Sequence, residues 1–86
     1  MYEIFTASSK TEKELKKYIS LQPKIKNRLD KLKENPRRNI GAHQLHGKLK
    51  GKWACWLGSN LRVIYIINER LKTIIIEAIG DHNKVY

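Results

Sequence analysis

The sequence predicts an α+β domain in which two helices pack on one face of a curved, mostly antiparallel sheet. Apolar residues recur at helical spacing up to about residue 35 and at strand spacing from residue 43 onward. Turn signals such as Gly58-Ser59-Asn60 divide the second half into short strand-like segments. A chain of 86 residues forms one domain, over positions 1–86. The predicted order is β-α-α-β-β-β.

The first half supplies one strand and a helix hairpin. Residues 1–6 are rich in aromatic and β-branched side chains, which favour a strand. A helix follows from about Thr11 to Ser20, capped by Ser8 or Ser9, and Thr11 with Glu14 fits a capping box. Pro23 opens a second helix, which ends at Asn35-Pro36. The stripes predicted to face the sheet are Leu15, Tyr18 and Ile19 in one helix, and Ile25, Leu29 and Leu32 in the other.

The second half predicts three strands, over 48–57, 61–67 and 72–79, joined by short turns as an antiparallel meander. Gly80 is predicted to end the last strand. The segments 63–67 and 74–76 are apolar on both faces. Because the helix hairpin covers only one face, we expect the other to receive a loop or the tail, or to serve as a partner surface.

The charge of the chain favours a polyanionic partner. Eighteen Lys and Arg oppose eight Asp and Glu, giving a net charge of +10, and such a charge attracts nucleic acid by releasing counterions. Lys48, Lys50 and Lys52 are spaced by two, so a strand would project them from one face as a positive ridge. The basic loop with Arg37 and Arg38 is predicted beside this ridge. The alternative is an ordinary solvated strand face.

Two further residues are candidates for catalysis. A guanidinium such as that of Arg62 binds phosphate through two hydrogen bonds. The alternative is an arginine at the edge of the sheet that pairs with Glu77 or Asp81. His82, which titrates near neutrality, would lie close to Arg62 if the last two strands pair as a hairpin. His43 is predicted to be a second substrate contact.

The remaining reactive side chains favour structural roles. Cys55 shares a predicted strand face with Trp53 and Leu57, which is typical of a buried core cysteine. Trp56 points to the other face and is either a core residue or a base-stacking residue. The histidines and Cys55 lack the spacing of a structural zinc site, so we expect neither a metal nor a cofactor. One cysteine and short apolar segments favour a soluble, cytoplasmic protein.

The second half resembles the RelE/ParE toxin superfamily. The segments that carry the resemblance are 43–47 (HQLHG), 50–53 (KGKW), 57–58 (LG), 61–65 (LRVIY) and 80–86 (GDHNKVY). The resemblance implies a RelE-like fold and a RelE/YafQ-type toxin of a type II toxin–antitoxin system. Such toxins are metal-independent endoribonucleases that cut messenger RNA in the ribosomal decoding site and are neutralised by an antitoxin.

The resemblance also implies roles for individual residues. Arg62 stands where the RelE branch has its phosphate-binding arginine, and Lys50 and Lys52 fall among its basic strand residues. His43 and His82 match histidines of the YafQ branch, and Tyr86 matches the C-terminal aromatic. In all, the implied catalytic residues are His82, Arg62 and Tyr86, and the substrate-binding residues are His43, Lys48, Lys50, Lys52, Arg37 and Arg38.

The sequence departs from YafQ-like toxins at two positions, where Trp56 replaces a histidine and Asn60 an aspartate. The alternatives are a ParE-like gyrase inhibitor, for which the helix hairpin is short, and a non-catalytic RNA-binding module. Expected partners are messenger RNA in the decoding site, ribosomal RNA and an acidic antitoxin that either covers the site or wraps the helix hairpin.

Overall fold

Two helices and a five-stranded sheet make up the fold, and the computed structural model describes residues 1–58 and 60–81. The elements in chain order are β1 (Glu3–Thr6), α1 (Ser9–Leu21), α2 (Lys24–Glu34), β2 (His43–Gln44), β3 (Trp53–Trp56), β4 (Leu61–Asn68) and β5 (Thr73–Asp81). The strand order is β1-β5-β4-β3-β2. β1 pairs parallel with β5, and the other neighbours are antiparallel. The α+β class and the antiparallel meander are confirmed, with β2 as an additional short strand.

The start of α1 differs from the predicted capping box. Ser8 is the N-cap, and its hydroxyl accepts a hydrogen bond from the backbone N–H of Thr11 at 3.2 Å. Thr11 therefore lies inside the helix, so the predicted box of Thr11 with Glu14 is wrong. The Thr11 hydroxyl is buried and donates to the carbonyl of Glu77 at 3.3 Å, which connects α1 to β5.

The main core lies between the helix hairpin and one face of the sheet, which we call the helix face. The predicted α2 stripe of Ile25, Leu29 and Leu32 is buried in it, and the α1 stripe packs against it. Tyr65 is fully buried and donates its hydroxyl hydrogen bond to the Pro36 carbonyl at 2.6 Å. Cys55 is also buried in this core, as predicted, and burial raises the pKa of its thiol to about 12.

The opposite face of the sheet, which we call the open face, carries the alternate strand residues. Leu45 and Leu49 fold over Ala54 and Ile64 there and form a second apolar cluster. The expectation that a loop covers this face is thus confirmed for the half near β3. On the half near β1, Phe5 remains 50% exposed.

Two predicted strand boundaries are wrong. The strand over 48–57 is only Trp53–Trp56, because Gly47 and Gly51 have φ of +68° and +92° and enclose a 3₁₀ turn at Gly47–Leu49. Left-handed glycines of this kind turn the chain and interrupt an extended strand. Gly80 does not end β5, since it pairs with Arg62 across the hairpin and the strand continues to Asp81.

Within the described part of the chain, no helix has both the length and the apolar character that crossing a membrane requires.

Candidate nucleic-acid interface

Arg62 and Trp56 form the centre of the candidate site on the open face. They are direct partners across the β3–β4 ladder, and the Arg62 guanidinium carbon lies 3.8 Å from the centre of the Trp56 ring. Both side chains are half-buried. Such a cation–π contact fixes the orientation of the guanidinium and uses its flat face, which is compatible with phosphate binding through its N–H edge.

A strained turn supports Trp56 from behind. In the 3₁₀ turn Asn39–Gly41, Ile40 has φ +51° and Gly41 has φ +72°. A Cβ atom at Gly41 would lie 2.9 Å from Cδ1 of Trp56, so only glycine allows the turn to approach the ring this closely. A left-handed β-branched residue such as Ile40 is rare and costs conformational energy. Ile40 packs against the helix-face core, and Gly41 lies against the Trp56 ring.

His43 lies on the same face, one strand further out. It pairs with Ala54, which is two residues from Trp56 and therefore on the same side of the sheet. The Nδ1 atom of His43 lies 2.9 Å from the carbonyl oxygen of Gly41. Because a carbonyl only accepts, Nδ1 carries the proton, and Nε2 is the nitrogen that can accept one. The structure therefore brings together His43, Trp56 and Arg62.

A carboxylate on this face holds one lysine. The Nζ atom of Lys52 lies 2.5 Å from Oε1 of Glu77, and the pair spans β4 from β3 to β5. The two side chains are 34% and 27% exposed. Glu77 stands at a bulge, where Ala78 pairs with Ile64 but Ile76 pairs with Tyr65. Glu77 therefore fixes Lys52 over the open face and balances its charge.

The predicted lysine ridge is wrong. Lys48 lies in the 3₁₀ turn, Lys50 follows it, and only Lys52 adjoins β3. Without a strand over 48–52, spacing by two no longer places side chains on one face. Lys48 and Lys50 are exposed on the covering segment, and their role in substrate binding stays a prediction.

Arg37 lies at the end of β4 that is far from Arg62. Its guanidinium donates to Glu69 at 2.9 Å and to the Tyr2 hydroxyl at 3.2 Å. Glu69 follows the last residue of β4, whereas Arg62 is near the first, which separates them by about 20 Å along the strand. The structure thus separates Arg37 from Arg62, whereas its predicted position beside the lysines stays a prediction. Arg38 is exposed at the start of the Asn39–Gly41 turn, and its role is untested.

His82 and Tyr86 lie outside the described residues. The strand pairing on which the predicted position of His82 depends is present, because Arg62 pairs with Gly80 and Leu61 with Asp81. Among residues 1–58 and 60–81, no group of three or more His, Cys, Asp or Glu is arranged to hold a metal ion.

Sequence reasoning offered Glu77 only as a possible partner of Arg62 and missed its ion pair with Lys52. It also missed the contribution of Gly41. Glu77 is the one carboxylate among the apolar residues of 73–80, which is a usable signal for a functional or paired charge. The contact between Gly41 and Trp56 has no signal in the sequence, since it depends on how a turn meets a strand 15 positions later.

Solved structures share this fold over its whole length. YafQ from Escherichia coli BL21(DE3) is 21% identical, with a TM-score of 0.71, and the match covers 100% of this chain and 99% of that one. The YoeB toxin–antitoxin complex with YefM from Staphylococcus aureus gives 17% identity and a TM-score of 0.73, over 95% of this chain and 98% of that one. A conserved hypothetical protein from Helicobacter pylori, HP0892, is 27% identical with a TM-score of 0.61, and each chain is covered completely.

No family model and no curated protein matches the sequence. The structural matches show that the chain has the fold of the RelE and YafQ toxins, which confirms the fold that the sequence resemblance implies.

Proposed function

We propose that the chain is the toxin of a type II toxin–antitoxin system, a metal-independent endoribonuclease that cuts messenger RNA on the ribosome in the cytoplasm. The observation that carries the proposal is the guanidinium of Arg62 stacked on Trp56, with His43 on the same face. A net charge of +10 supplies the attraction for RNA. The shared fold of YafQ and of the YoeB toxin supports the same function.

The reaction uses a nucleophile that RNA itself contains. The 2′-oxygen attacks the adjacent phosphorus while the bond from phosphorus to the 5′-oxygen breaks. One proton leaves the 2′-hydroxyl and another joins the departing 5′-oxygen, which yields a 2′,3′-cyclic phosphate and a 5′-hydroxyl. The protein therefore needs a proton acceptor, a proton donor and a cation for the charged phosphorane.

The described residues suit two of these roles. Arg62, whose guanidinium is stacked on Trp56, stabilises the phosphorane. Lys52, whose charge Glu77 already balances, contacts the RNA on the same face. His43 suits the role of proton acceptor, since its Nδ1 donates to the Gly41 carbonyl and Nε2 is left to accept a proton. We assign leaving-group protonation to His82 and a supporting contact to Tyr86, because both match the toxins that the sequence resembles.

The site is a face rather than a cavity, so RNA must be presented in an ordered form. Ribosomal RNA would supply the opposite wall and bind the exposed lysines, including Lys48 and Lys50. The helices of the hairpin have only 13 and 11 residues, which favours the nuclease over a ParE-like gyrase inhibitor.

The test is to add the purified protein to translating ribosomes and to map the new messenger ends. We expect Arg62→Ala to lower cleavage about 10²–10³-fold, as loss of one transition-state donor does. Arg70→Ala is the matched control, because it removes the same charge from the exposed turn between β4 and β5. A messenger with a 2′-deoxy nucleotide at the scissile position should remain intact. Cleavage of that messenger, or equal activity of the Arg62 and Arg70 variants, would contradict the proposal.

A further inference from the structure

An apolar stripe crosses three strands of the open face and stops at the edge of the sheet. Ile66 of β4 pairs with Ile75 of β5, and Ile75 pairs with Phe5 of β1. Residues next to Ile66, Ile75 and Phe5 in their strands pack into the helix-face core. Because side chains alternate along a strand, these three side chains point to the open face. Ile66 and Ile75 are half-buried, but Phe5 is 50% exposed. The stripe is therefore least covered where the sheet ends.

The backbone of β1 is suited to accept another strand at this edge. The N–H groups of Glu3 and Ala7 donate to Lys72 and Ile76, so odd-numbered residues bond toward β5. In a parallel ladder the intervening residues, Ile4 and Thr6, direct their N–H and C=O groups away from it. β1 is the terminal strand of the sheet, and an exposed edge of this kind is a template for strand addition.

The positive charge of the chain favours an acidic partner. The backbone carbonyl of Lys33 accepts a hydrogen bond from the Tyr2 N–H at one end of β1, and Lys10 follows the other end in α1. Glu3 is the acidic residue within β1. The chain as a whole carries a charge of +10, so a second copy is repelled and an acidic segment is attracted. We propose that an extended acidic segment of the antitoxin pairs with β1 and places alternate apolar side chains beside Phe5. This inference rests on the proposed toxin function for the identity of the partner.

A designed peptide tests the surface directly. The probe is a ten-residue peptide in which Glu alternates with Val or Ile, and its control has the same composition with all Glu residues in one block. At about ten times the Kd of the probe, hydrogen exchange at the amides of Ile4 and Thr6 should slow about tenfold. Phe5→Ser should weaken probe binding about tenfold, whereas Leu71→Ser, which changes a 60% exposed residue in the β4–β5 turn, should not.

The outcomes separate this proposal from the nuclease. Protection of Ile4 and Thr6 by the alternating peptide alone supports the docking surface, even if no RNA is cut. Protection confined to residues 11–34 overturns the docking surface in favour of a partner on the helices. Unprotected amides at Ile4 and Thr6 also overturn it. If the Phe5 variant still cleaves RNA in that case, the proposed nuclease function is unaffected. Protection that rises with protein concentration without peptide would indicate a second copy as the occupant.

Discussion

At the scale of single residues, the candidate site depends on contacts that hold Arg62 rather than on Arg62 alone. Its guanidinium rests on Trp56, and Trp56 rests on the turn at Gly41. A flexible arginine loses rotamer entropy when it binds a phosphate, and prior stacking on an aromatic ring reduces that loss. Trp56, which replaces a histidine of YafQ-like toxins, thus contributes by orienting a cation.

Gly41→Ala tests this support. Alanine at φ +72° costs about 1–2 kcal/mol, and its methyl group would also collide with Trp56. Gly47→Ala is the matched control, because φ is +68° but no described atom lies within 4 Å of the new Cβ. We expect both variants to unfold at lower urea, and only Gly41→Ala to change the near-ultraviolet circular dichroism of tryptophan and to reduce RNA cleavage. Equal stability losses with unchanged cleavage would show that Trp56 does not need the turn.

At the scale of elements, the sequence best predicts the features that follow from the periodic spacing of apolar residues. The apolar stripes of both helices and the pairing of the last two strands are present as predicted. The predicted strand over 48–57 was wrong because lysines spaced by two occur in turns as well as in strands. The positive φ of Gly47 and Gly51 makes this segment a turn. The doubly apolar strands correctly indicated that the second face needs cover, and Leu45 and Leu49 provide it around Ile64. The partner of Arg37 was unpredictable because Glu69 is 32 positions away.

A cluster around Glu69 joins β1, the segment after α2 and the β4–β5 turn. Hydrogen bonds from Lys72, then from Tyr2 and Arg37, lower the pKa of Glu69 to about 2. A lowered folded pKa stabilises the fold above the unfolded value of about 4.3, and this stabilisation is lost as pH falls toward 2. Glu69→Gln should therefore be less stable than the wild type at pH 7, by a difference that disappears near pH 2.

Urea midpoints measured across this pH range give the comparison. Glu34→Gln, at the exposed end of α2, serves as the control, because it removes one carboxylate that lies outside the Glu69 cluster. A constant deficit for Glu69→Gln down to pH 2 would mean that the cluster contributes through packing instead of charge.

At the scale of the whole molecule, positive charges outnumber negative ones, but some basic side chains form ion pairs with Glu69 or Glu77. Glu69 occupies Arg37 and Lys72 at one end of β4, whereas Arg62 lies at the other end. Lys52 is held by Glu77 between them. Arg37 and Arg62 therefore lie in different surroundings: Arg37 belongs to the Glu69 cluster, and Arg62 is stacked on Trp56.

Salt dependence distinguishes these two kinds of charge. Each phosphate contact with single-stranded RNA adds about −0.7 to the slope of log K against log salt. Binding of an uncleavable RNA with a 2′-deoxy scissile nucleotide should thus weaken steeply with salt. Arg62→Ala should make the slope shallower by about 0.7, because it removes one contact. Arg37→Ala changes the net charge equally but lies about 20 Å away along β4, so its slope should match the wild type. Identical slopes for all three proteins would place the phosphates elsewhere on the surface, and a flat wild-type slope would remove RNA as the partner of this face.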